Sequence, residues 1–137
     1  MKNKIILLVS AILIIVVSIL STSYLVNRSI DSSYNKSYDA AKLVVNDVLA
    51  NKLEDAYTQL SVTGKENQSN DDFVKSAQGA KLESGDSKYY LQYMGQTSNS
   101  IITFTITDKE GVTIGTIYTA VSAQKDGKWQ VDDIRFF

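Results

Sequence analysis

Asp132 and Asp133 are the side chains best suited to chemistry in this chain. Two carboxylates can divide acid and base duties when their surroundings push their proton affinities apart. Adjacent residues of a strand point to opposite faces, so both line one pocket only across a bulge. The bland alternative is a solvated pair near a sheet edge, or a partner for Arg135. A second set is aromatic: Tyr57, Phe73, Tyr90, Phe104, Tyr118 and Trp129. With Asp133 these could line an apolar ligand pocket; the alternative is ordinary core. A buried tyrosine needs a hydrogen-bond partner, so several in one pocket would suit a polar ligand.

Other chemistry is excluded by residue type. The 137 residues include no Cys and no His. That removes disulfides, thiolate nucleophiles, lipobox acylation, and the commonest general base and metal ligand. Asp108-Lys109-Glu110-Gly111 lacks the ligand spacing of a calcium-binding EF-hand loop, and Asp71-Asp72 reads as helix capping. No glycine-rich phosphate loop, nucleophile elbow or zinc pattern occurs. Asn27, Asn35 and Asn67 stand in glycosylation sequons, which matter only in a eukaryotic secretory path. Lys and Arg number 14 against 15 Asp and Glu. Setting aside Lys2 and Lys4 leaves 12 against 15, with no basic run after Arg28. Nucleic acid is therefore not an expected partner. The expectation is a protein without catalytic residues, metal or cofactor.

The N-terminus carries the clearest physical signal. Residues 5–26 are 22 positions without a charge, preceded by Lys2 and Lys4. As a helix they span roughly 33 Å, against a hydrocarbon core of roughly 30 Å. Residues 1–26 are thus expected to be a membrane anchor, or a signal peptide cut near Ser21-Thr22-Ser23. The length of the stretch, with Tyr24 and Arg28 at the interface position, favours the anchor. Either way the remainder is expected outside the cytoplasm, with the N-terminus inside, because Lys2 and Lys4 outweigh Arg28, which Asp31 offsets.

Residues 27–33 are polar and read as a juxtamembrane spacer. Residues 34–137 read as one domain. Tyr34, Tyr38, Ala41, Val45 and Val48 recur at 4, 3, 4, 3, the stripe of an amphipathic helix over 32–50. A second helix is expected from an Asn51 cap, with Glu54 completing a capping box, to a stop at Gly64. A third starts at Ser69 or Asn70 and stops at Gly79. The period then becomes two. Short strand 81–83, turn 84–86, and strands 89–95, 101–107, 112–124 and 128–137 are expected, with Gly115 marking a bulge and Asp126-Gly127 a two-residue hairpin turn. The fold class is α+β: three helices packed on a curved antiparallel sheet of four or five strands.

The layout resembles the nuclear-transport-factor-two-like, or cystatin-like, superfamily over about residues 34–137. Asn51-Lys52-Leu53-Glu54-Asp55-Ala56-Tyr57 is similar to its turn between the first two helices. Ser69-Asn70-Asp71-Asp72-Phe73 is similar to its acidic helix start. Asp126-Gly127-Lys128-Trp129-Gln130-Val131-Asp132-Asp133-Ile134 is similar to the closing strand of small exported bacterial members, among them domains of unknown function. The resemblance implies a cone between sheet and helices. It implies no single activity, since the fold serves isomerases, binding modules and secretion-channel subunits. Its isomerases pair a buried Asp with a Tyr, which would here be Asp133 with Tyr57 or Tyr118. The expectation is a non-enzymatic binding or assembly module of the cell envelope. Its partners would be the membrane and an envelope protein or a second copy. Single-span type IV secretion subunits are one version, though usually longer. The alternative is a small-molecule-binding cone.

Overall fold

In the computed structural model, backbone is described for residues 2–82, 86–96 and 99–137, and side chains for 12–82 and 99–137. The chain divides into two units, Met1–Ser32 and Ser33–Phe137.

From Lys2 onward the first unit is helical and belongs to α1, Lys2–Leu49. This helix contains a stretch long and apolar enough to cross a membrane, and none of that stretch is buried. Its large apolar side chains from Ile12 to Val26 are exposed by 47% (Val16) to 65% (Ile14). Ser18 Oγ and Thr22 Oγ1 do not need water: each donates to the carbonyl four residues back, Ile14 and Ser18, at 2.8 Å. The spacer expected over 27–33 does not interrupt the helix. Nothing in Asn27 to Ser33 breaks one, there being no Gly or Pro among them.

In the second unit the stripe of α1 holds. Ala41, Val44, Val45 and Val48 are buried. The helix ends in a Schellman motif: Lys52 N–H donates to Asp47 O at 2.8 Å, Asn51 N–H to Val48 O at 3.0 Å. Asn51 has φ 56°, so it closes α1 rather than capping the next helix. The expected second helix is two: α2 Leu53–Thr58 and α3 Val62–Asn67, separated by Gln59-Leu60-Ser61. Ser61 caps α3, its Oγ accepting from Gly64 N–H at 3.0 Å. Gly64 lies inside α3, not at a stop. It is needed there because a Cβ would stand 2.8 Å from Val131 O. The last helix, α4 Asn70–Ala80, starts as expected on a Ser69 cap. It ends at Lys81, which takes φ 52°, so Gly79 is inside the helix and residue 81 is not strand. Residues 83–85, with most of the expected short strand and its turn, lie outside the described residues, as do 97–98.

The strands are β1 Asp86–Gln96, β2 Asn99–Thr107, β3 Thr113–Ala123 and β4 Trp129–Phe136, all antiparallel in that order. The architecture is α+β, a long apolar N-terminal helix followed by short helices and an antiparallel sheet. Ile102, Phe104 and Ile106 of β2 face Thr119, Ile117 and Gly115 of β3, and all but Gly115 are fully buried. Thr119 is tolerated there because its Oγ1 donates to Ile102 O at 2.9 Å. The register slips between Ile106 and Thr107, leaving Ile114 as the extra residue beside Gly115. Gln124 N–H donates to Lys128 O at 2.7 Å, so the β3–β4 turn inside that pair has three residues, 125–127, not two: Gly127 N–H donates to Gln124 O at 2.9 Å and Gly127 has φ 80°. That is a turn closed by a left-handed glycine. Phe73 lies at the centre of the helix-side core, 5.7 Å from both Tyr57 and Phe136. Tyr38 stacks on Phe104 at 6.3 Å.

Candidate functional site

β4 is not regular at the aspartates. Val121 pairs with Val131 and Ala120 with Asp133, so Asp132 is an extra residue with no partner across the ladder. The bulge lets Val131 and Ile134, three apart, both be buried. It also separates the fates of the two carboxylates. Asp132 accepts from the hydroxyls of Ser61 and Ser122, and from Gln124 Nε2 at 3.3 Å. Ser61, fully buried, simultaneously caps α3 and donates its own N–H to Val131 O at 2.9 Å. Asn67 Nδ2 reaches Asp132 O at 3.4 Å. Asp132 is therefore a latch tying the α2–α3 junction to β3 and β4.

Asp133 is instead bound to Arg135, whose Nε and guanidinium nitrogen both lie 2.9 Å from Asp133 Oδ2. With Asn67 and Gln68 these two residues line an open recess of about 470 Å³. Neither proposed tyrosine joins Asp133 as a donor. Tyr57 Oη donates to Gln68 O at 3.1 Å. Tyr118 pairs with Arg135 in register, and its strand neighbours Ile117 and Thr119 point to the core, so Tyr118 lies on the outer face, where Asp133 is bonded to Arg135 rather than to the phenol.

The aromatic set is likewise divided. Tyr57 and Phe73 touch each other, and Phe104 shares the helix-side core with them, where both phenylalanines are fully buried. Tyr118 is on the opposite face. Tyr90 pairs with Thr103 in β1, and its side chain lies outside the described residues. Trp129, half-buried, packs partly on the core and partly lines a different feature.

That feature is an open groove of about 530 Å³ along one flank of α1. Lys36, Asp39, Ala40 and Leu43 form its helical wall. Their spacing of three and four places them in one row beside the buried stripe. Gly127, Lys128, Trp129 and Gln130 form the other wall, presented by the hairpin turn. Asp126 holds that turn: its carboxylate accepts from Lys128 N–H at 3.0 Å. This bond chiefly, with the Lys128 ammonium at 3.5 Å, lowers its pKa below the ordinary 3.8. Gln59 is the groove's inner member. Its Nε2 donates to Asp47, while its Oε1 is buried with no hydrogen-bond partner among the described residues. An orphaned buried acceptor costs about 1–3 kcal/mol. The mouth thus combines an indole, a leucine exposed by 56% and charges of both signs, with the unmet acceptor buried behind it.

The sequence marks Trp129 as a pocket candidate, and Lys36 and Asp39 only as the polar face of a helix; it does not mark Gln59. The period of α1 shows Lys36 and Asp39 off the core face; nothing local shows that Trp129 lies across from them. Among the described residues, no three acidic side chains converge to hold a metal ion.

No protein-family model matches the chain, and no curated protein does. A solved structure from Catenulispora acidiphila is similar at 9% identity and a TM-score of 0.47, covering 78% of this chain and 91% of that one.

Proposed function

We propose that this chain is a membrane-anchored, extracytoplasmic binding or assembly module without catalytic activity. The observation that carries the proposal is the uncovered apolar run of α1. Side chains from Ile12 to Val26 are about half exposed or more with no protein against them, a surface that lipid covers at no cost and water does not. Lys2 and Lys4 before the run support an inside N-terminus and an outside domain. The disposition of the carboxylates favours binding over catalysis: Asp132 serves the fold and Asp133 is neutralised by Arg135. The helix-covered sheet fits the cone of the nuclear-transport-factor-two-like superfamily, which we carry as part of this proposal. A small-molecule ligand is the second reading, favoured by the Trp129 groove, whose volume falls within the usual range for ligand sites.

The test is fractionation and cross-linking of the tagged full chain in intact cells. The chain is expected in membranes after an alkaline carbonate wash, degraded by protease added outside, and cross-linked to an envelope protein or a second copy. Release by carbonate, or protection from external protease, overturns the proposal.

A further inference from the structure

We infer that the groove between α1 and the β3–β4 turn is a glycan site, taking an oligosaccharide laid across Trp129. The inference deepens, and rests on, the reading of this domain as a binding module outside the cytoplasm. Four observations converge. A half-buried indole offers a flat apolar face at low entropic cost; the C–H face of a pyranose is the complementary surface. Gln59 Oε1 is buried without a donor among the described residues, and a sugar hydroxyl or acetamido N–H supplies one if the amide rotates toward the groove and gives up its Nε2 bond to Asp47. Lys36 and Asp39 stand one turn apart on the rim, a donor and an acceptor of opposite charge, with no ion pair between them. Vicinal hydroxyls, each both donor and acceptor, satisfy such a rim without requiring one sign of charge. The groove is also open rather than enclosed, which suits a chain lying across it.

Other ligand classes fit less well. An aliphatic chain would leave Gln59 unmet and strip water from Lys36 and Asp39. A polyanion would gain Lys36 and Lys128 but meet Asp39 in the same lining, in a domain whose acidic residues outnumber its basic ones. An extended peptide could use the same polar groups, but Leu60 and Ser61 already occupy the outer edge of β4 at Val131, beside the groove.

Trp129 is the sole tryptophan, so its fluorescence reports on this groove alone. The full chain in detergent micelles is titrated with the N-acetylglucosamine tetramer and with maltotetraose, up to about 10 mM. A saturable change in emission is expected with the tetramer. Gln59→Leu and Lys36→Ala are each expected to weaken it several-fold with circular dichroism unchanged. Trp129→Ala, read by calorimetry because it removes the fluorophore, is expected to weaken binding roughly tenfold. No emission change with either sugar overturns the inference. So does a change that Gln59→Leu and Lys36→Ala both leave at full strength, or a response to an unstructured peptide and to neither sugar. Carbonate extraction of the same protein separates the two claims. Chain that stays in the membrane and ignores both sugars sinks the glycan site alone; chain that leaves the membrane sinks the reading beneath it.

Discussion

Replacing Gly64 by alanine sets two effects of known size against each other. Gly64 lies within α3, where alanine is favoured over glycine by about 1 kcal/mol. Propensity alone predicts a more stable protein. Packing predicts the reverse. The added Cβ would stand 2.8 Å from Val131 O and 3.2 Å from Leu60 Cβ. The first is a backbone atom of β4, pinned by the Ser61 N–H bond at 2.9 Å and by the Leu60–Val131 bridge, so it cannot rotate away. Relief requires α3 to move off β4 by about half an ångström, the usual response to overpacking, at about 1–3 kcal/mol. Stretching the Ser61–Val131 bond and the Ser61–Asp132 contact costs about 1 kcal/mol more. The balance is a net loss of about 1–3 kcal/mol. For a folded unit of this size that is a fall in melting temperature of roughly 4–20 °C. Thermal and urea unfolding followed by circular dichroism measure it. A Gly64→Ala protein as stable as its parent, or more so, would refute the account of why glycine is needed here.

Ser61→Ala removes the α3 cap and a donor to Asp132 together, and should cost about 1–3 kcal/mol in urea unfolding, more than an isolated cap. Arg135→Ala, by contrast, breaks a pair whose side chains are 65% and 31% exposed, and should change stability by no more than about 1 kcal/mol. The Asp126 carboxylate should titrate by carbon NMR below 3.8. Its stabilising contribution is present above the unfolded value and is lost as pH falls through the folded one. Because the Lys128 backbone N–H is the main cause, Lys128→Ala should leave most of that depression; return to the ordinary value would assign it to the ammonium instead.

What could be read from the sequence was periodic. The 4, 3, 4, 3 spacing of α1 and the alternation Ile102, Phe104, Ile106 each stated a buried face directly, because a regular element repeats its orientation. The break in alternation at Asp132-Asp133 was visible as well, and it is the bulge. The two positive-φ closures at Asn51 and Lys81 were not visible, since asparagine serves equally as the N-cap of a following helix and lysine rarely takes positive φ. Nor was the parity of β3: Tyr118 looked like a pocket residue until Ile117, Thr119 and Val121 claimed the inner face. The least legible contact is Ser61 with Asp132, 71 residues apart. A serine before a helix announces a cap; it does not announce that the same hydroxyl will also serve a distant strand. The groove is hidden for the same reason, since its walls are remote in sequence and share no repeat.

The parallel bridge between Leu60 and Val131 bears on how such domains behave in a crowd. β4 ends the sheet, and a terminal strand is a template on which a second molecule can add its own. Leu60 and Ser61 occupy that template at Val131, and the bulge at Asp132 breaks the regular spacing just beyond it. Chains confined to a surface meet far more often than chains free in solution. The short junction between two six-residue helices then acts as a guard against fibrous self-association, and loosening it would uncover a strand edge as well as cost stability.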